Sequence, residues 1–198
     1  SDVIVLGLPR GGVRVAFEVA TALDASLDVF LVRKLGTPGQ RELAMGAIAS
    51  GGIVVINDDV VQVKEISQEM IEAVIDRERE ELERLDRRYR AGREPLDVQG
   101  RVVVLVDDGM ATGSTMKAAV RALRRLGPDE IIVAVPTGAQ SACEELRLLA
   151  DRCICLVVPE PFRAVGFWYE DFDQTSDQDV QNLLRQRAAA PREFPEST

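Results

Sequence analysis

The sequence predicts an α/β domain in which a central parallel sheet is flanked by helices, and three observations point there. The run Val102-Val103-Val104-Leu105-Val106 has no polar alternation, which is the pattern of a strand covered on both faces. Strand-like runs at Val3–Leu6, Leu27–Val32, Ile131–Val135 and Cys153–Val158 alternate with segments of helical spacing, an order that implies parallel strands joined by right-handed crossovers. Two of these strands run straight into small-residue loops, and ligands of such sheets gather at the carboxyl ends of the strands.

Composition sets the outer bounds. At 198 residues with 46% apolar content the chain can build one good core and is most simply one domain. The 24 basic and 33 acidic residues give a net charge of -9, which argues against an extended nucleic-acid surface. No apolar run approaches the length of a membrane span. The three cysteines, Cys143, Cys153 and Cys155, are odd in number and lack zinc-site spacing, so a reduced, cytoplasmic setting with core thiols is expected. Cys153 and Cys155 are predicted to share one strand face. The absence of histidine excludes Ser-His-Asp and Cys-His catalysis within this chain and leaves acid-base work to carboxylates or substrate oxygens.

Taken in order, Val3–Leu6 opens the chain without an initiator Met or a signal-peptide pattern, so a trimmed start is expected. Gly7-Leu8-Pro9-Arg10-Gly11-Gly12 follows, and then Val13, Ala16, Val19, Ala20 and Leu23 recur on one helical face. Gly11 and Gly12 permit close backbone approach, and the forked guanidinium of Arg10 suits phosphate oxygens. After Leu27–Val32, the stretch Arg33-Lys34-Leu35-Gly36-Thr37-Pro38-Gly39-Gln40-Arg41-Glu42 is predicted as a mobile surface loop from its glycines, proline and charges. Met45–Ser50 and Gly52–Ile56 flank Gly51 as a hairpin, and Asn57-Asp58-Asp59 is a turn. Lys64–Arg90 is a long exposed helix, with Glu80/Arg84 and Glu83/Arg87 spaced for i,i+4 pairing worth about 0.2 to 0.5 kcal/mol each. Its basic end, Arg87-Arg88-Tyr89-Arg90, suits the helix dipole, and the interleaved Glu residues favour a solvated face or a dimer contact over a nucleic-acid stripe.

The most informative stretch is Asp107-Asp108-Gly109-Met110-Ala111-Thr112-Gly113-Ser114-Thr115, set between the Val102–Val106 strand and a helix predicted from Met116 to Leu126. Ala111, Gly113, Ser114 and Thr115 let backbone N–H groups approach an anion at the positive end of that helix, and the hydroxyls of Thr112, Ser114 and Thr115 add donors. Asp107 and Asp108 can accept hydrogen bonds from vicinal hydroxyls such as those of a ribose. The Walker loop is excluded because Gly109 and Gly113 are separated by three residues and no Lys follows, and the dinucleotide pattern is not met. The helix stops at Gly127-Pro128-Asp129, and the strand Ile131–Val135, a helix from Thr137-Gly138-Ala139 to Leu149, and the strand Cys153–Val158 follow.

This stretch resembles the phosphoribosyl diphosphate (PRPP) signature of type I phosphoribosyltransferases: apolar residues, two acids, then a Thr-Gly-Ser/Thr loop. Pro9-Arg10-Gly11-Gly12 is similar to the early diphosphate-contacting loop of that family. The Arg33–Glu42 segment resembles its flexible active-site loop, spanning residues 33-44 with the hairpin beside it. The resemblance covers Leu6 to about Val158 and implies a type I phosphoribosyltransferase-like fold: a PRPP-binding core over residues 1-158, a small C-terminal hood over residues 159-187 and a tail at 188-198. The segment from Pro159 to Phe172 holds most of the aromatics and loosely resembles the end of hypoxanthine-guanine phosphoribosyltransferases. It departs from them in having no basic residue between Cys153 and Val158 to read a base carbonyl, and packing of a small subdomain is an equally open reading of its aromatics.

The resemblance implies transfer of ribose-5-phosphate from PRPP to a small-molecule acceptor, with release of diphosphate. Asp107 and Asp108 would hold the ribose, Ala111, Thr112, Gly113, Ser114 and Thr115 the 5-phosphate, and Arg10, Gly11 and Gly12 the diphosphate. Lys34 and Arg41 would neutralise the leaving group, and Phe162, Phe167 and Trp168 would contact the acceptor. It also implies Mg²⁺ carried with the diphosphate, whose protein ligands the sequence does not name, and a homodimer. A PRPP-binding regulator without turnover is the rival reading. A sugar-phosphate hydrolase with Asp107 as nucleophile is weaker, because the Asp-x-Asp arrangement is missing.

Overall fold

The computed structural model describes residues 2–189, with the side chain of Arg41 excepted; the predicted tail beyond 189 lies outside this range. Five strands, β1 (Val3–Gly7), β2 (Ser26–Val29), β3 (Val32–Thr37), β4 (Gln40–Ala49) and β5 (Ile53–Ile56), and three helices, α1 (Gly11–Ala22), α2 (Asp58–Val63) and α3 (Gln68–Arg90), make up the first half. The second half adds β6 (Val102–Val106), α4 (Ser114–Arg124), β7 (Glu130–Thr137), α5 (Gln140–Arg147), β8 (Arg152–Val157) and α6 (Asp177–Ala189). The main sheet is parallel throughout, in the order β2-β1-β6-β7-β8, while β3, β4 and β5 form a separate antiparallel sheet.

The unbroken apolarity of β6 has its expected cause. Val103 and Leu105 lie in the core cluster with Met116, Val120 and Leu123 of α4 and Leu146 of α5, whereas Val104 and Val106 face Val13, Ala16 and Ala20 of α1. With Val103, Leu105 and Val106 fully buried and Val104 6% exposed, the strand has no solvent face on which polar alternation would be useful. The register places Val5 beside Val104 and Gly7 beside Val106, so the loops after β1 and β6 leave the sheet side by side. Cover is incomplete at the far edge, where Ile154 and Leu156 of β8 remain exposed.

Several elements differ from the sequence expectation. The predicted strand Leu27–Val32 is split: β2 ends at Val29 in the main sheet, and β3 begins at Val32 in the small one. Phe30 and Leu31 bridge the two while fully or almost fully buried, and the Leu31 N–H donates to Ser50 Oγ at 2.9 Å, so apolarity runs through the change of sheet. The segment predicted as a mobile loop is largely paired, β3 and β4 forming a hairpin around Pro38-Gly39, where Gly39 has φ +76°. The long helix starts at Gln68 rather than Lys64: Glu65 has a positive φ of 49°, and Ser67 caps the helix by accepting from Met70 N at 3.3 Å. Asp58 and Asp59, expected in a turn, form the first turn of α2.

Along α3, Ile71, Val74, Leu82 and Tyr89 face the core and the charges face solvent. Glu83 and Arg87 approach to 3.7 Å as their spacing predicts, but Arg84 pairs with Glu81 rather than Glu80, through two bonds of 2.7 and 2.8 Å. The end of α3 is tied to the main sheet more firmly: Arg90 donates from Nε to both oxygens of Asp28 on β2, at 3.1 and 3.2 Å, with both side chains largely buried.

Candidate functional site

Helix α1 starts directly against the two acids that end β6. A Cβ placed on Gly11 would lie 1.8 Å from Asp108 Oδ2, and one on Gly12 would lie 2.8 Å from the Cα and Oδ1 of Asp107. At Gly12 the close atoms are backbone atoms of Val106 and Asp107 and only glycine fits, while Gly11 lies against the Asp108 carboxylate, so the early glycine pair and the later acid pair, separated by almost a hundred residues of chain, meet in space. The Asp108 N–H donates to Asp107 Oδ1 at 2.9 Å.

Among the described residues the two acids have no cationic partner. Burial, then the neighbouring Asp108 charge, pushes Asp107 up to about 7, the hydrogen bond from the Asp108 N–H opposing the rise. Asp108 is also raised by burial, against the pull of backbone N–H groups. Buried carboxyls with raised affinity for protons and no cation beside them mark a candidate functional site.

The loop beyond the acids is open to solvent. Ala111, Thr112, Ser114 and Thr115 are exposed, while Gly113 between them is buried with φ +65° and leaves room for Ala142, whose Cβ a side chain at 113 would meet at 3.3 Å. Helix α4 begins at once after Gly113, two residues earlier than predicted, so its N-terminal N–H groups face the loop. Thr112 Oγ1 and Ser114 Oγ are 3.0 Å apart. Exposed hydroxyls and a helix N-terminus therefore stand next to the pair of carboxylates.

Lys34 is brought to the same region. With Ser114, Thr115, Lys117 and Arg121 it lines a groove of about 630 Å³ between the small sheet and α4, where its Nζ donates to the Glu42 carbonyl at 3.3 Å. Its neighbour Arg33 is committed elsewhere, bonding Glu78 of α3 at 2.8 and 3.0 Å. The side chain of Arg41 lies outside the described part, although its backbone belongs to β4. Arg10 is exposed at the start of α1, and its charge, after the Tyr89 hydroxyl and Arg88, helps hold Asp177 below the usual carboxylate range.

The hood meets the acid loop through residues the sequence did not single out. Val165 fills the space over Gly109, where a Cβ would lie 2.6 Å from Val165 Cγ1, and the Tyr169 hydroxyl donates to the Asp108 carbonyl at 2.6 Å. Between these contacts a 3-10 turn, Val165–Trp168, carries Phe167 and Trp168, which pack edge to face at 5.7 Å. Phe167 also takes the Arg163 guanidinium over its ring at 5.3 Å. Phe167 and Trp168 are exposed and Phe162 is half-buried. The order Val-Gly followed by aromatics drew attention to this segment, but nothing local marks which aromatic hydroxyl turns inward. The three cysteines are free; Cys143 and Cys155 place their sulfurs 2.7 Å apart beside Gly138, and burial, then Cys143, pushes the Cys155 thiol up to about 12. Cys143 is a core thiol, and Cys153 and Cys155, half-buried, pack against the same core from one strand face as predicted.

A parallel five-stranded sheet with a carboxylate pair and a small-residue loop at the end of its central strand is the architecture of the type I phosphoribosyltransferase fold. Residues 63–171 match the profile of the phosphoribosyl transferase domain, and the chain belongs to the type I phosphoribosyltransferase family. It is 47% identical over 195 residues to the Mycobacterium tuberculosis protein named "Putative phosphoribosyl transferase Rv0571c", covering 98% of this chain and 43% of that protein. The chain thus spans less than half the length of this curated relative. The crystal structure of TT1426 from Thermus thermophilus superposes with a TM-score of 0.85 at 43% identity, over 94% of this chain and 88% of that one. A ribose-phosphate pyrophosphokinase of Methanopyrus kandleri is 43% identical over 75 residues, 36% of this chain and 26% of that protein.

Proposed function

We propose that this chain binds PRPP at the β6 carboxylates and transfers its ribose-5-phosphate to a small-molecule acceptor. The observation that carries the reading is the contact of Gly11 and Gly12 with Asp108 and Asp107, which joins a diphosphate-type loop to a ribose-type acid pair. The ribose hydroxyls donate to Asp107 and Asp108, the 5-phosphate accepts from the N–H groups and hydroxyls of residues 111 to 115, and the diphosphate lies over the start of α1 with Arg10, Lys34 and Arg41 as its candidate cations. In the reaction the acceptor's lone pair forms a bond to C1 while the C1–O bond to diphosphate breaks and its electron pair leaves with diphosphate. The acceptor proton passes to solvent or to the raised carboxylate of Asp107. Positive charge gathers on the sugar in the transition state, and the two carboxylates beneath it favour that charge.

Among the described residues no cluster of three or more His, Cys, Asp or Glu side chains forms a metal cage. Asp107 and Asp108, carboxylates with no cation beside them among the described residues, would hold a Mg²⁺, which would supply positive charge to offset that of the leaving diphosphate. The acceptor is assigned to the hood side, where Phe162, Phe167 and Trp168 offer flat apolar surfaces. Among the described residues no helix is long and apolar enough to cross a membrane.

A second reading, a PRPP-binding regulator without turnover, is favoured by the pairing of Lys34 with Ala47 in the β3–β4 hairpin, which leaves less free loop to close on a leaving group. Calorimetric titration with Mg²⁺ and PRPP, followed by diphosphate release against a panel of nucleobases and amines, separates the two. Release with at least one acceptor is expected. Binding without release from any of them would favour the regulator, and no binding would remove both.

A further inference from the structure

We propose that Tyr169 is a positioning residue that locks the acceptor-bearing hood onto the PRPP loop, so that occupancy of the donor site is transmitted to the turn carrying Phe167 and Trp168. The inference rests on the reading of Asp107 and Asp108 as the ribose site and extends it to the hood.

The geometry is that of a two-point attachment. Val165 caps Gly109 at one end of the turn, and the Tyr169 hydroxyl donates to the Asp108 carbonyl at the other. Both anchors land on consecutive residues of the acid loop, and the four-residue turn is held between them. The rest of the hood follows the same anchors: the Tyr169 ring packs on Phe172 at 5.0 Å between centroids, and Gly166 admits the Phe172 ring, to which a Cβ at 166 would approach within 2.6 Å.

The lock is a single hydrogen bond, with the Tyr169 hydroxyl as donor and the Asp108 carbonyl as acceptor. The accepting atom belongs to the residue whose carboxylate meets the ribose. A ligand that fixes Asp108 therefore fixes the carbonyl to which the hood is tied, and the loop cannot shift without moving the hood. Coupling of this kind is reciprocal, since the hood in place also favours the loop geometry that holds the ligand.

The chain contains one tryptophan, Trp168, and it lies in the turn at 41% exposure, which makes its fluorescence a direct report on the hood. The test uses the full chain and Tyr169→Phe, which removes the hydroxyl and leaves the ring to pack on Phe172. In the free protein, Tyr169→Phe is expected to raise acrylamide quenching of Trp168. On saturation with Mg²⁺ and PRPP, the wild type is expected to show a fall in quenching and the variant little or none, while calorimetry gives the variant a PRPP affinity within about fivefold of wild type, the lower end of ordinary coupling. Val165→Ala, which loosens the other anchor without touching the hydroxyl, should lie between the two. A wild-type Trp168 that is unaffected by PRPP, in samples where calorimetry shows binding, overturns the coupling and leaves the donor site standing. Equal quenching of free wild type and Tyr169→Phe overturns the lock itself. If PRPP does not bind the wild type, the donor-site reading fails and this inference falls with it.

Discussion

Asp107→Asn should make the unliganded protein more stable at pH 8, even though it removes a residue of the proposed site. The Asp107 carboxyl rises from 3.8 to about 7 on folding, because burial and the adjacent Asp108 oppose its charge. The folded state therefore holds a proton that the unfolded state releases, and the stability this contributes is fully present below pH 3.8 and is lost as pH rises through about 7. A gap of that size corresponds to roughly 4 kcal/mol in total, of which roughly 2 to 3 kcal/mol falls between pH 5 and pH 8. Asparagine is neutral throughout and keeps the Oδ1 that accepts from the Asp108 N–H at 2.9 Å. Urea unfolding of both proteins at pH 5 and pH 8 gives the difference directly, since pH effects from other groups largely cancel. The variant should gain roughly 2 to 3 kcal/mol on wild type between the two pH values, or about 4 to 12 °C in melting temperature. A wild-type-to-variant gap that is the same at pH 5 and pH 8 would refute the claim that this carboxylate is buried at a cost.

Gly12→Ala should destabilise the fold by about 1 to 3 kcal/mol in thermal unfolding, because the new methyl meets Asp107 Cα and the Val106 carbonyl, which are backbone atoms of β6. Arg90→Ala should cost about 3 kcal/mol, measurable as a lower urea midpoint, by removing the main partner of the buried Asp28 carboxylate. The loss stays at the low end for a broken buried pair because Arg93 remains 3.5 Å from the same carboxylate. Lys34→Ala should slow diphosphate release about tenfold or more while the melting temperature stays within about 2 °C, since removing an exposed side chain is usually within about 0.5 kcal/mol.

The parts of the fold legible in the sequence are those set by local pattern. Val102–Val106 announces a strand buried on both faces, and the helical spacing from Met116 announces α4 although not its start at Ser114, because burial leaves direct marks on residue choice. The split of Leu27–Val32 is not legible, because Phe30 and Leu31 are as buried between the two sheets as their neighbours are within them. Pro38-Gly39 marked a turn correctly, but the charges of Arg33, Lys34 and Glu42 masked a hairpin whose other side chains are largely buried, Leu35, Met45 and Ile48 completely. Ser67 was a readable cap for α3, and the run of charges before it concealed the stop at Glu65.

The site divides in the same way. Asp107, Asp108 and the 111 to 115 loop stand together in sequence and together in space. The demand for glycine at 11 and 12 is a tertiary one, since the atoms that forbid a side chain belong to Asp108 and Asp107. Tyr169 belongs to the same class: its hydroxyl matters because of a carbonyl 61 residues away, and no local pattern distinguishes it from Phe167 or Trp168.

The central claim, a PRPP site at the end of β6, is tested most directly by calorimetric titration of the chain with PRPP in the presence of Mg²⁺, alongside the double variant Asp107→Asn, Asp108→Asn. One site per chain in the wild type, with binding weakened by at least about tenfold in the double variant, is the predicted result. A wild type that takes up no PRPP, or a double variant that binds it as tightly as wild type, would contradict it.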